Sequence, residues 1–112
     1  DDEDRFDEFI KGFDLRKIAG DITAPYMVLA GEDDQLSPIE HTHELFTHII
    51  APKKVVNYEG ANHGLNEGSS VALGENRNTM MADWYLDRFA GKKMESESVF
   101  IDAVGRATSE GF

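Results

Sequence analysis

Apolar residues open the chain at Phe6, Phe9, Ile10 and Phe13. That i, i+3, i+4, i+7 spacing is one stripe of a helix, with acids on the opposite face and in the first turn, where the dipole favours them. Gly12 weakens the helix end, and Leu15 and Ile18 continue as a loose apolar stretch toward Gly20. Pro25 then precedes Tyr26-Met27-Val28-Leu29-Ala30-Gly31, an unbroken apolar run ending in glycine. Such a run predicts a strand buried on both faces, as in a parallel sheet. Glu32 to Gln35 follow as a polar loop.

Ser37-Pro38-Ile39-Glu40 predicts a helix start, with Ser37 as cap, Pro38 in the first helical position and Glu40 completing a capping box. Ile39, His43, Phe46 and Ile50 then share a face, which makes His43 a packed histidine, and Ala51-Pro52 ends the helix. Lys54 to Glu59 reads as a second strand, closed by Gly60. The strand–helix–strand order is a βαβ unit with an expected right-handed crossover. Residues 60–74 are loop-like and rich in Gly, Asn and Ser. From about Asn78 to Ala90, Met81, Trp84, Tyr85, Leu86 and Phe89 make a broad apolar helix face, with Gly91 as its C-cap. Met80, Met81, Trp84 and Tyr85 could line a pocket, but at helical spacing they are expected in the core. Ser98 to Thr108 offers room for a short strand and turn. Only two strands carry a clear pattern, and two parallel strands would leave two unpaired edges to cover.

The chain has 112 residues, with 22 acidic and 11 basic side chains and a net charge of −11. One domain is the ceiling for this length. The negative charge removes any electrostatic reason to approach nucleic acid or anionic lipid. Cysteine is absent, so disulfides and thiolate chemistry are excluded. No apolar run approaches the roughly 18 residues of a membrane span, and no signal-peptide pattern is present. A cytoplasmic protein is the default expectation.

The candidate chemistry lies at the carboxyl ends of the two predicted strands, where ligands of open parallel sheets bind. Asp34 follows the first and His63 the second, a separation that one crossover requires. An Asp that accepts the Nδ1 proton of a His fixes its tautomer, and the His can then act as a general base. His41, Glu44 and His48 fall in one sector of the intervening helix. They are ligand-type side chains, but with no fourth ligand evident they read as a solvated face. No metal or cofactor is expected.

Gly31-Glu32-Asp33-Asp34-Gln35-Leu36-Ser37-Pro38 resembles the acid loop of α/β-hydrolases, G-x-x-D-x-x-[VS]-P. Gly60-Ala61-Asn62-His63-Gly64 resembles their histidine loop, G-x-x-H-G. Residues 22–29 look like the lead-in to the acid strand, and Trp84 and Phe89 stand where the family's last helix packs on the sheet. The resemblance covers nearly the whole chain and is closest to the branch of dienelactone-hydrolase-like, acyl-peptidase-like and pseudooxynicotine-hydrolase-like enzymes. It implies that Asp34 is the triad acid and His63 the triad base. Asp33 is a competitor, but the distances from Gly31 and to Pro38 both select Asp34.

The family's nucleophile elbow, G-x-S-x-G, is absent. No serine occurs among the 33 residues before Asp34, and Ser69 and Ser70 follow no strand. The resemblance therefore implies a single truncated domain over residues 1–112. It would be the C-terminal part of an α/β-hydrolase fold, two parallel strands in a βαβ unit flanked by helices. Such a segment of an enzyme cleaving ester, amide or C–C bonds would be inactive alone and complemented by an N-terminal half. The alternative is a non-catalytic module of hydrolase descent that dimerises through its strand edges.

Overall fold

The computed structural model describes residues 1–12, 14–65 and 76–112, with Ile10 and Lys11 described by backbone alone. The element order is α1 (Asp2–Lys11), β1 (Tyr26–Gly31), α2 (Ile39–His48), β2 (Lys53–Tyr58), α3 (Arg77–Phe89), β3 (Glu97–Ile101) and β4 (Ala107–Gly111). Two single-turn 3₁₀ segments, Leu15–Lys17 and Ala19–Asp21, link α1 to β1.

The strands form one mixed sheet in the order β1-β2-β3-β4. β1, β2 and β3 are parallel neighbours, and β4 returns antiparallel to β3. The expectation of two strands is therefore corrected to four. β3 lies in the tail stretch expected to hold one short strand. β4, Ala-Thr-Ser-Glu-Gly, is exposed along its whole length and has no apolar alternation to announce it. The strand buried on both faces is β2 rather than β1. β1 stands at the sheet edge, with Tyr26 exposed and Met27, Val28 and Leu29 only half-buried.

Strand alternation divides the core into two halves. Val28 and Val55 face α2 and pack with Ala19, Leu45, Phe46, Ile49 and Ala51. Met27, Leu29, Val56, Tyr58, Val99 and Ile101 face the other way and pack with Ala61, Leu65 and Met80. The register sets Val28 beside Val55 and Leu29 beside Val56, so each half is continuous across strands.

The α2 helix differs from its sequence reading at both ends. Pro38, not Ser37, is its N-cap and makes no side-chain cap bond, and the Ser37 N–H is bonded to Asp34 Oδ1 at 2.8 Å. The buried face carries Ile39, Phe46 and Ile49, while His43 and Ile50 are exposed. The helix ends at His48 and Ile49 turns extended, which rotates Ile49 inward in place of Ile50. Lys53 Nζ donates to the Phe46 carbonyl and, at 2.7 Å, to the Ile49 carbonyl, satisfying acceptors that a helix C-terminus leaves free.

In α3, Asn76 caps the start by accepting the N–H groups of Asn78 and Thr79. Gly91, at φ +71°, ends it. There the Gly91 N–H bonds the Arg88 carbonyl and the Lys92 N–H bonds the Asp87 carbonyl, a Schellman arrangement. The inward face is Met80, Met81 and Trp84, whereas Tyr85, Leu86 and Phe89 are exposed. The broad apolar face is therefore only partly used, and Phe89 does not pack on the sheet. In α1, Phe6 and Phe9 are likewise exposed. Phe13 lies outside the described residues.

Candidate functional site

Parallel neighbours β1 and β2 end at the same rim, and their exit loops are joined there by backbone bonds. Glu32 N–H donates to the Tyr58 carbonyl at 3.0 Å and Asp33 N–H to the Ala61 carbonyl at 2.9 Å. Glu32 Oε2 accepts the Gly60 N–H at 3.1 Å. The loops approach so closely that a Cβ on Gly31 would lie 2.3 Å from the Ala61 carbonyl oxygen and 2.5 Å from that of Asn62. Only glycine fits at position 31.

This lacing brings Asp34 and His63 together, with His63 Nδ1 2.8 Å from Asp34 Oδ2. The Asp34 side chain is 7% exposed and that of His63 is 58% exposed. Asp34 Oδ1 accepts the N–H groups of Leu36 and Ser37 at 2.9 and 2.8 Å. The Ser37 N–H is the largest influence holding the Asp34 pKa below the ordinary carboxylate value. Burial opposes it, and the hydrogen bond from His63, the Leu36 N–H and the charge on His63 assist it. An ionised carboxylate only accepts hydrogen bonds, so His63 Nδ1 is the donor of this pair and Nε2 is the ring nitrogen left for proton transfer. Asp33 is exposed, and the ring of His63 bonds Asp34 instead.

The histidine loop is anchored beyond His63 as well. Asn62 Oδ1 accepts the Gly64 N–H at 3.1 Å, and the Asn62 carbonyl accepts the Leu65 N–H at 3.1 Å. Leu65 is held at φ +55°, a conformation that costs a non-glycine residue of order 1 kcal/mol. The Arg77 guanidinium, from the start of α3, donates to the Leu65 carbonyl. Sequence reasoning missed the roles of Glu32 and Arg77, and no local spacing marks them. Gly31 was visible as a motif position without its steric reason.

Ser69 and Ser70 lie outside the described residues. Glu44 Oε1 accepts Arg16 Nη1 at 2.8 Å, and His41 and His48 are exposed. Among the described residues, no three His, Cys, Asp or Glu side chains converge as metal ligands. No described helix is long and apolar enough to cross a membrane. A separate groove of about 430 Å³ runs along β1, lined by Pro25, Tyr26, Met27, Met81, Trp84 and Tyr85 among others; it includes neither Asp34 nor His63.

No protein-family model matches the chain, and neither a curated protein nor a solved structure matches it.

Proposed function

We propose that this chain supplies the acid and base of a hydrolase-type catalytic unit, Asp34 as the orienting carboxylate and His63 as the general base. The observation that carries the reading is the 2.8 Å contact between Asp34 Oδ2 and His63 Nδ1 at the shared rim of two parallel strands. The motif resemblance to α/β-hydrolases supports the same assignment. In this reading His63 Nε2 takes the proton from an attacking hydroxyl as its oxygen bonds to a carbonyl carbon. The same proton then passes to the leaving group as the scissile bond breaks, and Nε2 next takes a proton from a water that attacks the acyl carbon, returning it to the hydroxyl oxygen as the acyl group leaves as an acid. Asp34 stays ionised throughout and stabilises the imidazolium. The reaction class is hydrolysis of an ester, amide or activated C–C bond. The sequence carries no G-x-S-x-G elbow, so in this reading the hydroxyl comes from a serine elbow outside these 112 residues.

Fluorophosphonate labelling tests this division of labour. The expected result is no labelling of the chain alone. Labelling appears when a polypeptide carrying a strand–serine–helix elbow is co-expressed with it, and disappears in His63→Ala. Labelling of the chain alone would place a nucleophile within it and overturn the reading.

A further inference from the structure

We infer that the free edge of β1 is a self-pairing surface through which two copies of this chain join their sheets. The inference goes beyond the acid–base reading and does not rest on it: it describes the chain by itself, and a serine-bearing half that joined the sheet at this edge would have to displace the second copy. Tyr26 N–H bonds the Pro52 carbonyl and Glu32 N–H bonds the Tyr58 carbonyl, so even-numbered positions of β1 direct their backbone groups toward β2. Odd-numbered positions therefore direct theirs outward, where no strand pairs with β1 among the described residues. The outward donors are the N–H groups of Met27, Leu29 and Gly31. The outward acceptors are the carbonyls of Pro25, Met27 and Leu29. Proline has no N–H, and the Gly31 carbonyl is already taken by the Asp34 N–H at 3.2 Å.

This set is complementary to itself in one antiparallel register. With Val28 on a two-fold axis, Met27 faces Leu29 of the second copy, and the two exchange both N–H···O bonds. Gly31 then faces Pro25, and the N–H that glycine offers meets the carbonyl that proline offers. The donor missing from Pro25 stands opposite the acceptor already occupied on Gly31, so no group is left orphaned. A two-fold contact of this kind closes and does not propagate.

Charge and shape favour the same occupant. Residues 22–31 carry no charge in a chain of net charge −11, so this edge lets two copies meet without placing like charges opposite each other. The edge has none of the lysines, bulges or interior prolines that block strand addition. The opposite edge, β4, is short and fully exposed and carries Glu110. A two-fold axis normal to the sheet also sets the apolar grooves of the two copies, each with an exposed Tyr85, on the same face beside the seam.

The test is sedimentation of the full chain together with single-cysteine cross-linking, which is clean because the chain has no cysteine of its own. The expected result is a dimer. Val28→Cys, at a non-hydrogen-bonded pair with Cα atoms about 4.5 Å apart, should link rapidly on mild oxidation. Cysteine at the exposed Ile50 should not. Met27→Pro removes an outward N–H and leaves the β1–β2 ladder intact, though it also removes a half-buried side chain. It should raise the dimer dissociation constant at least about tenfold, with Met27→Ala, which keeps the N–H, as the packing control. A monomer overturns the proposal. So does a dimer that is indifferent to Met27→Pro and links no faster at position 28 than at position 50. Cross-linking of Val28→Cys to a different polypeptide would equally defeat self-pairing.

Discussion

A methyl group on Gly31 would sit 2.3 Å from the carbonyl oxygen of Ala61, well inside any tolerable contact. The atoms it would meet are backbone, and they belong to the loop that carries His63. Side-chain rotation cannot relieve the clash, so the β1 and β2 exit loops must separate. Gly31→Ala is therefore expected to cost about 2–3 kcal/mol in urea unfolding. In the folded fraction, nuclear magnetic resonance should show the His63 Nδ1–H signal weakened or lost. An alanine variant of wild-type stability with that signal intact would show that the close approach is not required.

Asp34 has two separable tasks. Oδ1 holds the N–H groups of Leu36 and Ser37, and Oδ2 holds His63. Asn keeps a neutral acceptor for the loop, whereas Ala removes every acceptor. Thermal unfolding should rank wild type above Asp34→Asn and Asp34→Asn above Asp34→Ala. Equal losses in the two variants would mean that the loop bonds contribute nothing.

Acid should destabilise the fold through carboxylates whose native pKa values lie below their unfolded ones. Asp34 is lowered first by the Ser37 N–H, and Glu97 first by the Ser109 hydroxyl. Asp14 is lowered from 3.8 to about 2, chiefly by the Arg16 guanidinium. A depressed native pKa contributes stability that is complete above the unfolded value and is lost as pH falls through the native one. Denaturant midpoints should therefore hold near neutral pH and fall between about pH 4 and pH 2. Asp34→Asn should flatten the fall, and an unchanged acid profile in that variant would count against the assignment.

Lys53 opens β2 and reaches back to the C-terminus of α2, with Nζ bonded to the carbonyls of Phe46 and Ile49 and 4.8 Å from the ring centre of Phe112. Lys53→Met keeps the stem and removes the charged donor. The expected loss is about 1.5–3 kcal/mol in urea unfolding, the range for hydrogen bonds to a charged group. No loss would mean that water satisfies those carbonyls equally well.

The parallel β1–α2–β2 unit was legible because short runs bounded by Gly and Pro mark strands, although the apolar run of β1 did not reveal that it stands at the edge and is only half-buried. The pairing of Asp34 with His63 was legible because parallel neighbours must end at one rim. β4 was not legible, since an exposed edge strand needs no apolar face. The shift of the buried position from Ile50 to Ile49 depends on the helix stopping at His48, which periodicity carried past the stop does not anticipate. The bond from Arg77 to the Leu65 carbonyl joins residues 12 apart in sequence, and only the folded chain brings them together.

The decisive measurement is the nitrogen-15 spectrum of the His63 ring at a pH where it is neutral. If Asp34 orients a general base, the proton resides on Nδ1 and Nε2 shows the shift of an unprotonated nitrogen, with that preference weakened in Asp34→Asn. A ring protonated on Nε2, or a tautomer mixture unaffected by Asp34→Asn, would mean that the two side chains do not act as acid and base together.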